Sequence, residues 1–386
     1  MSFEFYANTR PGAILLTLNN LLEKMPTFLK PFLPQLQRTF AKSLADTSSE
    51  VLRSRAAKAL GTLITLTPRI DPLIAELVAG SKTPDVGVQN AMLRALYEVV
   101  SKAGSNMSEV SRASILGLID NDAVNVKDSM AITHARLLGA LIKNLPAGTS
   151  AAGLIKQRVL TSNFSNASVL SLNSILVESP TSLTDAFPQE TPAIICQGIV
   201  SKNTFMSENC ILAAGKYLLA EQVNPSFETS KSILEALAVA TKPGSPVDSR
   251  RLALVVIRTV SRKHSEITNP HLRILAPPVF ASVRDPVIPV KLAGEAAFLT
   301  LFSVVESENA VFDEYIAGAE LNPTMKRSMQ DYFKRIAMRL GGQARERKEA
   351  EGGQGGLGLS NDEREDEREI WSVGKVDIGD DTFKDE

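Results

Sequence analysis

The chain has 386 residues, with 42 Lys/Arg against 43 Asp/Glu and 44% hydrophobic residues, a composition that excludes a disordered polar chain and requires a buried core. Only 5% of residues are aromatic and one is Trp, so Leu, Ala, Ile and Val carry the apolar content, which favours helix-on-helix layers over a sandwich or barrel. Residues 342–386 hold 7 Lys/Arg against 14 Asp/Glu, leaving 35 against 29 in residues 1–341; the net charge of −1 thus divides into a body of +6 and a tail of −7, and a body so weakly basic argues against a DNA-binding domain.

In chain order, residues 1–10 form an atypical N-terminal segment. The first helix is expected over Pro11 to Met25, where Leu15, Leu16, Leu18, Leu21 and Leu22 supply an apolar face. It reads as the second helix of a pair whose first is missing, so the chain is expected to be the C-terminal piece of a longer array. A second amphipathic stretch covers Pro31 to Leu44. Leu52, Ala56, Leu60 and Leu63 then fall at i, i+4, i+8 and i+11, one face of a helix, with small alanines between them that let a neighbour approach closely. The same spacing returns at Val88, Met92, Leu96 and Val99. Sliding the pattern along the chain sets Leu60 opposite Leu96, Leu138, Ile175, Tyr217, Ile257 and Phe298, with steps of 36 to 42 residues. A period near forty marks paired-helix HEAT-type repeats, whose units run about 40 to 47 residues.

Asp71-Pro72, Asn224-Pro225, Asn269-Pro270 and Asp285-Pro286 are expected to place an Asx cap before a Pro at the first helical position. Gly80, Gly104 and Gly148 follow apolar runs, as left-handed C-caps would. Met325 to Leu340 reads as a last capping helix. The sequence therefore divides into a solenoid over 11–340, a Gly-rich flexible linker over 341–359 and an acidic tail over 360–386 that carries Trp371.

Catalytic candidates are few. Cys196 and Cys210 could meet His134 only through folding, and both lie in apolar sequence where a small core residue fits better than a nucleophile. His134 reads as packed, His264 and His271 as solvated. The Gly353–Gly358 run lacks the strand before it and the Lys-Ser/Thr after it that a phosphate-binding loop needs. No disulfide framework, zinc site or other metal site is expected, nor a cofactor or small-molecule substrate. No apolar run approaches the roughly 20 residues that span a bilayer, and nothing at the N-terminus orders itself as a signal peptide; a cytoplasmic protein with no membrane contact is expected.

Two features point to binding. Opposite the apolar face, Lys58, Arg94 and Arg136 occupy one template position in successive repeats, so stacking would align them as a basic column for an acidic protein or RNA phosphate. A solvated face of ordinary Lys/Arg usage is the competing reading. Arg53, Gln89, Arg250 and Lys291 share a position near the helix start that suits a buried polar contact to the next repeat. Trp371, flanked by Ile370 and Val373 in acidic sequence, suits a short motif that docks on a partner or back onto the solenoid, against a merely disordered tail.

The stretches Phe32 to Phe40, Arg53 to Leu63, Arg69 to Pro72, Arg250 to Arg258, Arg284 to Leu292 and Glu365 to Trp371 resemble the C-terminal end of a family of very large HEAT-repeat proteins. These are activators of the amino-acid-sensing kinase of translation initiation factor two alpha. The resemblance implies an all-α right-handed solenoid and a non-enzymatic scaffold in translational control that contacts the ribosome and the RWD domain of that kinase under amino-acid starvation. A generic HEAT adaptor for transport or a phosphatase, with no ribosome link, is the alternative.

Overall fold

The computed structural model describes residues 3–67, 69–121, 129–146, 148–161, 164–303, 310–350 and 361–374. Every element of regular structure among them is helical, and none of these helices is long and apolar enough to cross a membrane. The chain divides into two compact units, one of residues 1–161 and 170–182, the other of 162–169 and 183–375.

In the first unit, α1 (Phe3–Lys24) is followed by α2 (Pro26–Leu29), α3 (Leu33–Leu44), α4 (Glu50–Ile64), α5 (Asp71–Gly80), α6 (Val86–Ala103), α7 (Glu109–Asn121), α8 (Ser129–Lys143) and α9 (Ala152–Arg158), and by most of α10 (Asn166–Glu178) and α11 (Pro180–Thr184). One row is made by α1 on α4, α4 on α6 and α6 on α8, while α3, α5 and α7 pack behind it. This is the helix–turn–helix stacking that the forty-residue period predicts. The alignment anchors Leu60, Leu96, Leu138 and Ile175 are all buried. Close stacking also demands a missing side chain: a Cβ on Gly139 of α8 would lie 2.3 Å from Ser174 Oγ and 3.0 Å from its backbone oxygen on α10.

The second unit contains α12 (Glu190–Ile199), α13 (Thr204–Leu219), α14 (Phe227–Ala240), α15 (Val247–Lys263), α16 (Ser265–Thr268), α17 (Leu272–Ser282), α18 (Ile288–Ser303), α19 (Ala310–Gly318), α20 (Pro323–Ala350) and α21 (Asn361–Trp371). Here α13, α15 and α18 form the row and α12, α14 and α17 back it; the anchors Tyr217, Ile257 and Phe298 are buried. Arg250 of α15 pairs with Asp285 just before α18, a buried ion pair from one repeat to the next. Few as they are, the aromatics gather at the C-terminal end, where Phe298, Phe302, Phe312 and Phe333 interlock edge-to-face or stacked and Tyr315 lies tilted against Phe302, closing off an apolar face.

Several boundaries differ from the sequence reading. The first helix starts at Phe3, inside the segment set apart as 1–10, and α20 continues past Gly341-Gly342 to Ala350, into the expected linker. The rest of that linker, with Gly353–Gly358, lies outside the described residues, as do residues 375–386. Ser49, Asp85, Asn203 and Ser226 cap helix starts, accepting from the backbone N–H of Leu52, Val88, Met206 and Thr229. Of the expected Asx-Pro pairs, Asp285 accepts from the Val287 N–H at 2.9 Å ahead of α18; Asn322, before Pro323, accepts from the Met325 N–H at 2.7 Å at the start of α20. Asp71 sits inside α5 and accepts instead from Ser108 across the repeat boundary, at 3.0 Å from its N–H and 2.8 Å from its hydroxyl. Of the three expected left-handed glycines, only Gly148 has positive φ; Gly80 ends α5 as a helical residue and Gly104 has φ −60°.

Candidate interaction surface

The row α4–α6–α8–α10 carries a mixed strip of charge. Arg94, half-buried on α6, sits 3.8 Å from Glu50 of α4. Burial presses its guanidinium below the usual value; Glu50 opposes that, and Arg136 on α8 and Arg53 on α4 add to it. The cations that converge are therefore Arg53, Arg94 and Arg136. Lys58 is exposed on α4 and lies outside the surface cavity of about 150 Å³ lined by Glu50, Arg53, Ser54, Val86, Gly87, Asn90, Ala91 and Arg94. Sequence reasoning set Arg53 aside for a repeat-to-repeat contact, but the hydrogen bond it makes is inside its own repeat, to the Asp46 carbonyl at 2.7 Å; its guanidinium lies beside Gly87 of the next repeat. Gln89 is half-buried and Lys291 exposed, so the shared template position fixes no common partner.

Farther along the strip, the Tyr97 hydroxyl donates to Glu178 Oε1 at 3.0 Å, and Lys143 Nζ lies 2.9 Å from Glu178 Oε2. Burial, with the Glu178 carboxylate beside it, pushes the Tyr97 phenol up to about 12, so it remains a donor at neutral pH. The strip is thus a ladder of opposite charges from which basic groups project, rather than an unbroken basic column.

In the second unit the tail sequence forms α21, which lies on α13 and α15. Arg251 Nη2 lies 2.5 Å from Glu369 Oε1, Arg258 Nη1 3.0 Å from Asp366 Oδ2, and Arg262 Nη2 2.5 Å from Glu367 Oε1, with Lys263 Nζ 2.9 Å from Glu367 Oε2. Arg251, Arg258 and Arg262 stand at i, i+7 and i+11, one face of α15. Ile370 is fully buried and Val373 nearly so, while Trp371 is half-buried. The anchor of this segment is therefore Ile370, not its aromatic neighbour. It fits because α13 has Gly215 beneath it, where a Cβ would stand 2.9 Å from Ile370 Cγ2.

The catalytic candidates do not converge. Cys210 is buried against Gly198, and burial raises its thiol far above the ordinary value. Burial, with Glu235 nearby, pushes Cys196 up to about 11; both thiols stay protonated near neutral pH and neither is an activated nucleophile. His134 is buried on α8 in the other unit. His264 meets Glu266 at 3.0 Å. His271, expected in solvent, is buried with its ring 4.5 Å from that of Phe227, because the short turns after α15 fold it back under α14. Among the described residues no group of three or more His, Cys, Asp or Glu is placed to hold a metal ion.

Residues 71–351 match the family model described as stalled ribosome sensor GCN1-like HEAT repeats. The chain is 40% identical over 409 residues to the eIF-2-alpha kinase activator GCN1 of Saccharomyces cerevisiae, a match covering 97% of this chain and 15% of that protein. It is 29% identical over 318 residues to protein ILITYHIA of Arabidopsis thaliana, covering 80% of this chain and 12% of that one. It is 43% identical over 131 residues to the human stalled ribosome sensor GCN1, covering 34% and 5%. The chain thus spans less than a sixth of the length of each of these relatives.

Proposed function

The chain belongs to the family of stalled ribosome sensor GCN1-like HEAT repeats, and from that premise we propose that it is a non-enzymatic, cytoplasmic scaffold of translational control. It works by holding ribosome contacts and the RWD domain of the initiation-factor-two-alpha kinase, so that the kinase is activated under amino-acid starvation. The observation that carries this reading is the 40% identity over 97% of the chain with a protein named as an activator of that kinase. The physics of the fold supports it. Each repeat buries its apolar face against its neighbours, so recognition falls to the polar positions that the row repeats from helix to helix.

On this reading Lys58, Arg94 and Arg136 supply the partner-facing charge, and Trp371 a contact from α21. Cations on successive helices suit RNA phosphate, because each neutralised phosphate releases counterions, and suit an acidic protein face equally. The test offers purified ribosomes and the kinase RWD domain separately to the full chain at moderate salt, beside a Lys58→Glu/Arg94→Glu/Arg136→Glu variant and a Trp371→Ala variant. The expected result is capture of at least one partner by the native chain, lost on charge reversal and weakened with rising salt. Capture of neither partner, or capture unchanged by the reversal, would sink the assignment.

A further inference from the structure

The basic face of α15 is occupied by a segment of the chain's own sequence, and the character of that contact defines a ligand class. The floor is Gly215 and Val256, which receive Ile370; the wall is Arg251, Arg258, Arg262 and Lys263, which receive Glu369, Asp366 and Glu367. Glu369, the last of these acids, lies on Arg251, the first of these cations, while Asp366 lies on Arg258 and Glu367 on Arg262 and Lys263. Gly215 stands two residues before the anchor Tyr217, the template position that carries Lys58, Arg94 and Arg136 in the first unit. At that position three helices of the first unit carry basic side chains, whereas α13 carries none and leaves room for Ile370.

The contact is built to be reversible. Eleven residues are shorter than the roughly 12–15 that hold a helix alone in water, so α21 owes its helicity to docking. Ion pairs between partly exposed side chains are individually weak, and Ile370 and Val373 are its buried apolar residues.

We propose that the α13/α15 groove is a receptor for acidic amphipathic helices. Its ligand is a helix of a partner protein with acidic residues at i, i+1 and i+3 and an aliphatic residue at i+4, the pattern of Asp366, Glu367, Glu369 and Ile370. In the isolated chain α21 fills the groove, and the partner helix displaces it. Covalent attachment gives α21 a millimolar effective concentration in favourable cases, so a trans ligand competes against its own mimic. Nothing in this requires a ribosome or a kinase, and the test below leaves both out.

The probe is a fluorescent synthetic peptide of residues 361–374, titrated by anisotropy into the full chain. Intact chain is expected to bind it weakly. Ile370→Asp, which ejects α21 from its seat, is expected to tighten peptide binding about 10-fold or more by removing the cis competitor. A second release variant, Asp366→Arg/Glu369→Arg, alters two half-buried ion-pairing positions of α21 and must give the same gain. Adding Arg258→Glu/Arg262→Glu to the Ile370→Asp variant must abolish binding, and a peptide carrying Asp366→Arg and Glu367→Arg must restore it. Equal binding by intact and released chains, failure of the charge swap to restore binding, or a dimer of the intact chain held by exchanged α21 would each overturn the proposal.

Discussion

Gly139 sets how closely α8 meets α10. Any side chain there pushes into the Ser174 backbone, and backbone cannot swing aside as a flexible side chain would. Gly139→Ala is therefore expected to lower unfolding free energy by about 1–3 kcal/mol, read as a lower denaturant midpoint at unchanged slope; an unaltered midpoint would show that the two helices part without cost. Sequence could not single Gly139 out from the other glycines, because closeness of approach is a property of the partner helix. The same limit shaped the reading of the cations. The template set Lys58 beside Arg94 and Arg136, whereas the α4 cation that acts on Arg94 is Arg53, five residues nearer the helix start. His271 was misread for a related cause: its neighbours in sequence are polar, while the ring that covers it, Phe227, comes from 44 residues earlier.

At the scale of the element, the second helices were legible because each buries one stripe and the stripe has a 3.6-residue period. Their ends were less so. The Asx-Pro pairs drew attention as caps, but Ser49, Asp85, Asn203 and Ser226 cap helices with no Pro after them, and a short polar residue before a helix is too common to choose among without the backbone. Replacing Asp85 by Ala strips α6 of its acceptor for the Val88 N–H and is expected to cost about 1 kcal/mol. Asp85→Ser, which keeps an acceptor, should recover most of it in thermal melts; equal loss in both would assign the effect to something other than the cap. The docking of α21 was legible only as one of three readings, a motif for a partner, a motif for the solenoid itself, or a disordered tail. Its partners lie 104 to 118 residues away, and an acidic run read locally does not say which of the three holds. The signal was present only as a match between two distant patterns, arginines at i, i+7 and i+11 and an acidic run ending in an aliphatic residue.

For the molecule as a whole, stability in a stacked array is the sum of repeats and the interfaces between nearest neighbours, so damage stays local. Asp285→Ala strands Arg250 as a buried charge, a loss of about 3–5 kcal/mol. Hydrogen exchange should show that loss as faster amide exchange in α15, α17 and α18 while α4 and α6 keep their rates. Uniform acceleration throughout the chain would instead mean one cooperative unit. Sequence conveyed this architecture well, through seven buried anchors spaced 36 to 42 residues apart, because a repeat states its own period six times over, whereas a single contact is stated once. The seating of α21 has one more consequence. The chain has a single Trp, and it rides on that helix, half-buried beside the anchoring Ile370. Light absorbed by indole therefore reports from one place only. When the helix leaves its seat, Trp371 passes into water and its emission shifts to the red, while five tyrosines elsewhere stay silent at the red edge of excitation. The fold thus carries its own optical gauge of whether the groove is filled from within, readable on the unlabelled chain as partner, salt or temperature is varied.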